Sequence, residues 1–227
     1  MITADKTFHS PDLCSITLAG NLVAEPKIRY QANPVLAIAD ITIATHSRWY
    51  DKNTNAYKEW THYHNVKVVG DIVEQQLIHA QKGQIVLVQG HLSTQKNTNK
   101  ELFLATFIQV FNKGYSQEIN QCHCSAQLLT PFTLKNTENN KMFAAATVCF
   151  TQQTISAHNQ QKHNFTLERP VHIWGKQAQY LAEKASVGDK LIIEGKLSYL
   201  NNSEKSQLLD AKQIILVKEP ISTDQAK

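Results

Sequence analysis

Apolar residues recur along this chain at two spacings, and the spacings follow one another in the same order twice. Ile41, Ile43 and Thr45 share one parity of an alternating run, and Ala146, Val148 and Phe150 share one parity of another. Period-two alternation predicts strands with one buried face. A polar stretch follows each run, at residues 51–58 and 151–164, and reads as a hairpin loop. Second alternating strands end on glycine, with Val66 and Val68 before Gly70 and with Val171 and Ile173 before Gly175. Next come the segments with helical spacing: Ile72, Val73, Leu77, Ile78 and Ala80, then Ala178, Tyr180, Leu181 and Ala185. Gly83 and Gly188 follow them as candidate helix C-terminal caps. Runs rich in branched residues (Ile85–Val88; Leu191–Ile193) and last strands at 102–111 and 208–217 complete each set.

The two sets are copies. Gly70, Gly83 and Gly90 recur as Gly175, Gly188 and Gly195, each 105 positions on (175 − 70, 188 − 83, 195 − 90). Val66 and Val171, Leu92 and Leu197, and Ser93 and Ser198 obey the same shift. A constant offset signals one supersecondary plan used twice. Five strands with one helix between the third and fourth is the order of the OB-fold. The fold class expected is therefore all-β with one short helix per domain, as two tandem five-stranded OB-fold barrels. The expected division is a flexible N-terminus at 1–12, a first barrel at 13–113, a linker at 114–123, a diverged second barrel at 124–218 and a short tail at 219–227.

Composition narrows the function only slightly. The 227 residues are 42% hydrophobic and 19% charged, with a formal net charge of +4, a lean towards an anionic partner. No apolar run reaches the roughly 18–20 residues of a membrane-spanning helix, and the start of the chain lacks a secretory layout; the cytoplasm is the expected compartment. Four cysteines are too few for a disulfide scaffold. Cys122-His123-Cys124 has C-x-C rather than C-x2-C spacing and no second ligand pair, so it reads as two reduced thiols in the linker, and neither a metal nor another cofactor is expected. The acidic residues are scattered singly, and no G-x4-G-K loop is present, which argues against a nuclease, a nucleotidyl transferase or any other enzyme.

The run Gly20-Asn21-Leu22 followed by Pro26 and then Arg29-Tyr30 resembles the first-strand signature of bacterial single-stranded-DNA-binding proteins. The resemblance continues through Ile41–Thr45, Arg48-Trp49-Tyr50-Asp51-Lys52, His64-Asn65-Val66, Gly83 and Gly90-His91-Leu92, covering nearly all of the first copy. It implies sequence-independent coating of single-stranded DNA in replication, recombination or repair, and an assembly of four OB domains, which a two-domain chain reaches as a homodimer. Such binding needs cations for the phosphates and flat rings for the bases. Counting along the strand, Tyr63 and Lys67 share the face opposite His64, Val66 and Val68, and so lie on the surface that matches the family's groove. Trp49, flanked by Arg48 and Lys52, matches a base-stacking tryptophan. Arg29 and Lys27 are candidate phosphate contacts, and Lys96 lies in the loop after Gly90. Trp60 either substitutes for a stacking ring or caps the hairpin. Trp174 matches an aromatic position of the family, either facing DNA or buried between barrels. His64 aligns with a histidine at a subunit contact, and a hydrogen-bonded core histidine is the other reading.

Departures from the pattern are specific. Val69 and Asn97 stand where rings are common, and residues 218–227 lack an acidic tail with an apolar tip, so recruitment of enzymes through the tail is not expected. The missing rings favour an alternative, a primosome-type OB adaptor that binds single strands weakly and mainly recruits replication proteins.

Overall fold

The computed structural model describes residues 11–52, 54–95, 100–138, 140–155, 162–202 and 205–218. Most of the expected N-terminal segment and the tail at 219–227 lie outside these residues. The first copy forms β1 (Cys14–Leu22), β2 (Lys27–Gln31), β3 (Leu36–Asp51), β4 (Ala56–Val69), α1 (Asp71–Leu77), β5 (Gln84–Thr94) and β6 (Glu101–Lys113). The second copy repeats the order as β7 (Ile119–Leu128), β8 (Thr133–Asn136), β9 (Met142–Ile155), β10 (Lys162–Trp174), α2 (Lys176–Lys184), β11 (Lys190–Tyr199) and β12 (Gln207–Val217). β2 and β8 continue the bent first strand of each barrel. The bends fall at residues 23–26 and 129–132, where Pro26 and Pro131 offer no N–H to a ladder. Ile41, Ile43, Val66 and Val68 point inward beside Ile16, Leu18 and Phe103, as their parity requires. One face of each helix closes a barrel, through Val73 and Leu77 in α1 and through Ala178 and Leu181 in α2.

Each barrel is a two-sided sheet bent shut. β4 pairs in parallel with β6, and β1 reaches β3 at Asn21↔Ala44; β10–β12 and β7–β9 do the same in the second copy. The ladders β5–β6 and β11–β12 slip one position beside Gly90 and Gly195. A Cβ there would lie 2.1 Å from the Leu104 carbonyl oxygen or 2.3 Å from that of Asp210, so only glycine lets the strands approach this closely.

Three expectations change. The polar stretches are strand at both ends: β3 and β4 stay paired from Ile38↔Val69 to Asp51↔Ala56, and β9 and β10 as far as Ile155↔Lys162. Backbone ladders carry these arms past the barrel wall, where neither side needs an apolar face. Gly83 and Gly188 are not helix caps; α1 ends at Leu77, and both glycines sit at positive φ (86° and 97°) in the turn that enters the next strand. Cys122 and Cys124 do not lie in a linker. Residues 119–123 already belong to β7, and both thiols are buried, with Sγ atoms 3.3 Å apart and Cys14 Sγ 3.6 Å from Cys124.

The barrels join through β1 and β7, antiparallel from Cys14↔Cys124 to Ala19↔Ile119, making one twelve-stranded sheet. Exchanging the copies turns Cys14↔Cys124 into Leu18↔Asn120 and leaves Ile16↔Cys122 in place, so a pseudo-twofold axis passes between Ile16 and Cys122. Contacts across the joint repeat accordingly. The Asp12 N–H donates to the Thr151 carbonyl (2.7 Å), and the Glu118 N–H to the His46 carbonyl (3.2 Å). His64 Nδ1 meets Tyr199 Oη at 3.2 Å; at the matching corner, Arg169 Nη2 donates to the Ser93 carbonyl (2.9 Å) and lies 3.4 Å from Thr94 Oγ1. Arg169 is buried, and its Nε donates to Gln207 Oε1 at 3.1 Å and faces Glu101 at 3.6 Å.

Candidate nucleic-acid interface

The arm formed by β3 and β4 carries a run of exposed aromatic residues. Residues directly opposite on an antiparallel pair share a face, so the unbroken register sorts every side chain. One face runs outward from Val69, Lys67, Asn65 and Tyr63 to Glu59, Arg48, Tyr57 and Tyr50. The other continues the barrel interior through Val66, His64 and His62 to Trp60, Lys58 and Trp49. Contacts agree with the sorting: Arg48 pairs with Glu59 (3.6 Å) and lies over the Tyr57 ring (4.3 Å), Tyr50 and Tyr57 meet edge to face at 5.3 Å, and Trp60 neighbours His62 at 6.0 Å. Trp49, Trp60 and Tyr63 are 45%, 59% and 59% exposed. The structure thus brings Tyr63 and Arg48 to one face and places Trp49 and Trp60 on the reverse, giving the arm rings on both sides.

Nearer the barrel, cations gather around one carboxylate. Asp40 lies opposite Lys27 on β2 and opposite Lys67 on β4, and forms an ion pair with Arg29. Lys27 and Lys52 are exposed and Lys67 half-buried, and none of the three pairs with a carboxylate among the described residues. Exposed pairs such as Arg29–Asp40 and Arg48–Glu59 are worth only about 0–1 kcal/mol, so both arginines can exchange a carboxylate for a phosphate at little cost. Lys96 lies outside the described residues.

His64 is fully buried, where Nε2 meets Thr45 Oγ1 at 3.1 Å while Nδ1 faces Tyr199 of the second barrel. Burial, with His62 beside it, brings its pKa down to about 4. It is therefore neutral at ordinary pH and joins two barrels of one chain. Of the two readings the sequence allows, the hydrogen-bonded core histidine is the one seen here, and its outward partner is the second barrel of the same chain. Among the described residues no group of three or more histidine, cysteine or acidic side chains is placed to hold a metal ion.

The model of the Single-strand binding protein family matches this chain twice, over residues 13–113 and 119–218. The chain belongs to that family. Crystal structures of the single-stranded DNA binding protein from Thermus aquaticus share the whole tandem fold. A deletion mutant of that protein is 23% identical with a TM-score of 0.70, covering 95% of this chain and 99% of its own. The wild-type protein is 22% identical with a TM-score of 0.69, covering 93% and 96%.

Within this family plan the two barrels differ in what they display. Described side chains on the outer part of the β9–β10 arm include Gln153, Asn164, Thr166 and Glu168, with no exposed ring or cation among them. Trp174 is instead exposed at the base of β10, where its Nε1–H donates to Asp210 Oδ1 (2.8 Å) and Phe143 packs on the ring at 4.9 Å. It is not buried between barrels. The sequence pattern does not reveal Tyr50 and Tyr57 as ring positions, because residues 51–58 read as a loop, whereas the two lie opposite each other in β3 and β4. Nor does it mark Asp40 as the centre of the cation patch; the cross-strand register that reveals it is not visible in one strand's pattern.

Proposed function

We propose that this chain binds single-stranded DNA without requiring a particular sequence, and performs no chemistry on it. The arm of the first barrel supports this reading most directly. A continuously paired two-stranded ribbon holds exposed rings on both faces above a patch of Lys27, Arg29 and Lys67. Rings accept any base, because every base has a π face, and a strand wrapped over the arm meets rings on either side. A duplex keeps its bases stacked and offers the rings nothing. The first barrel is the principal site, and the second adds Trp174. Coating exposed strands in replication, recombination or repair is the corresponding role, and two chains associate to give four barrels.

The test is a titration of labelled oligo-dT with the full chain at several salt concentrations. Saturable binding is expected, with a salt slope of about −0.7 for each phosphate neutralised. A chain that binds a helicase or primase tightly and oligo-dT hardly at all would be an adaptor instead.

A further inference from the structure

A cavity of about 530 Å³ opens on the second barrel between β7, β11 and β12, with Trp174 on its wall. Its charged lining consists of Glu118, Glu194, Asp210, Lys196 and Lys212. Two of the carboxylates are paired, Glu118 with Lys196 at 2.9 Å and Glu194 with Lys212 at 3.3 Å. Asp210 forms no ion pair among the described residues, and its one hydrogen bond there is the indole N–H received at Oδ1. The lining holds three acids against two bases, so a phosphate is unwelcome. A flat ring carrying N–H donors suits it.

The first barrel shows that this is not a general property of the fold. There Val69 takes the place of Trp174, Gln89 that of Glu194, and the opposed pair His91↔Leu104 that of Lys196↔Asp210. The strand plan is shared by both copies, but among the described residues a ring and the carboxylate hydrogen-bonded to it line a cavity only in the second.

We infer that this cavity seats a single unpaired guanine against Trp174, with its Watson–Crick edge on the Asp210 carboxylate. Phe143, which does not line the cavity, packs against the indole and holds it in place. A carboxylate accepts two adjacent donors, and guanine alone among the four bases offers them, at N1–H and the N2 amino group. Adenine and cytosine place an acceptor nitrogen beside their amino group, and thymine flanks its N–H with two carbonyls; each would turn a lone pair towards the carboxylate. The inference rests on the proposed single-strand binding and adds a preference for composition at one subsite.

The experiment compares the full chain on three oligomers: pure dT, dT with isolated and widely spaced dG, and the same oligomer with deoxyinosine for dG. A good bidentate contact discriminates by about five- to 160-fold, so the dG oligomer should bind tighter than dT by a factor in that range. Inosine, which lacks the N2 amino group, should fall back towards dT. Asp210→Asn should bring the dG-to-dT ratio close to one, while its side-chain oxygen can still accept the Trp174 N–H. Equal affinity for dG and dT oligomers, or a preference that survives Asp210→Asn, overturns the guanine pocket alone. Failure to bind any of the three overturns the single-strand reading as well.

Discussion

Trp49 carries the clearest residue-scale expectation. It is exposed, lies two positions from the end of β3, and shares its face with Lys58 and Trp60. Replacing it with alanine should weaken oligo-dT binding by about 1–3 kcal/mol and leave the salt slope unchanged, since a stacked ring neutralises no phosphate. Lys67→Ala should do the reverse, flattening the slope by roughly 0.7 with a smaller loss of affinity at high salt; an unaltered slope would remove Lys67 from the phosphate path. His64 sets a pH dependence. Its folded pKa of about 4 lies below the ordinary 6.5, so between those values the unfolded chain holds a proton that the folded chain refuses. Stability is therefore full above pH 6.5 and falls as the pH drops towards 4, by up to roughly 3 kcal/mol at 1.36 kcal/mol per unit. Melting curves of His64→Gln against the unsubstituted chain should show a shallower acid slope for the variant.

At the scale of elements, the parity of the barrel wall was legible, whereas the arms were not. His64, Val66 and Val68 alternate with Tyr63, Asn65 and Lys67, and burial of one set forces the other outward. Beyond Trp60 no core exists to impose an apolar stripe, so Tyr57 and Asp51 look like loop residues although both lie in strands. Trp174 was legible as outward-facing for the same reason that Tyr63 was. Its partner Asp210 was not, because the hydrogen bond joins β10 to β12 across 36 positions of chain. The corner at Arg169 was equally hidden. It takes the place of His64 in the second copy, and a lone arginine before a proline says nothing about Glu101 or Ser93. Arg169→Met should lower stability by about 3 kcal/mol, because it strips the Ser93 carbonyl, Gln207 and Glu101 of a buried cationic partner. Thermal unfolding within the error of the unsubstituted chain would show that the joint does not depend on this corner.

For the molecule as a whole, the β1–β7 seam makes one particle of two barrels, and the copies differ in the side chains they display. The first displays the arm with Trp49, Tyr57, Trp60 and Tyr63; the second displays Trp174 beside a cavity. Association of two chains should double the mass in solution, and mass measured with and without oligo-dT tests it. The most direct trial of the account is competition at equal ionic strength. A strand of oligo-dT bound to the full chain, followed by quenching of the exposed tryptophans, is challenged with unlabelled single-stranded and duplex DNA of the same length. The expected result is quenching on binding, reversed by the unpaired competitor and scarcely by the duplex. Displacement by duplex at the same concentration, or no complex with either, would contradict it.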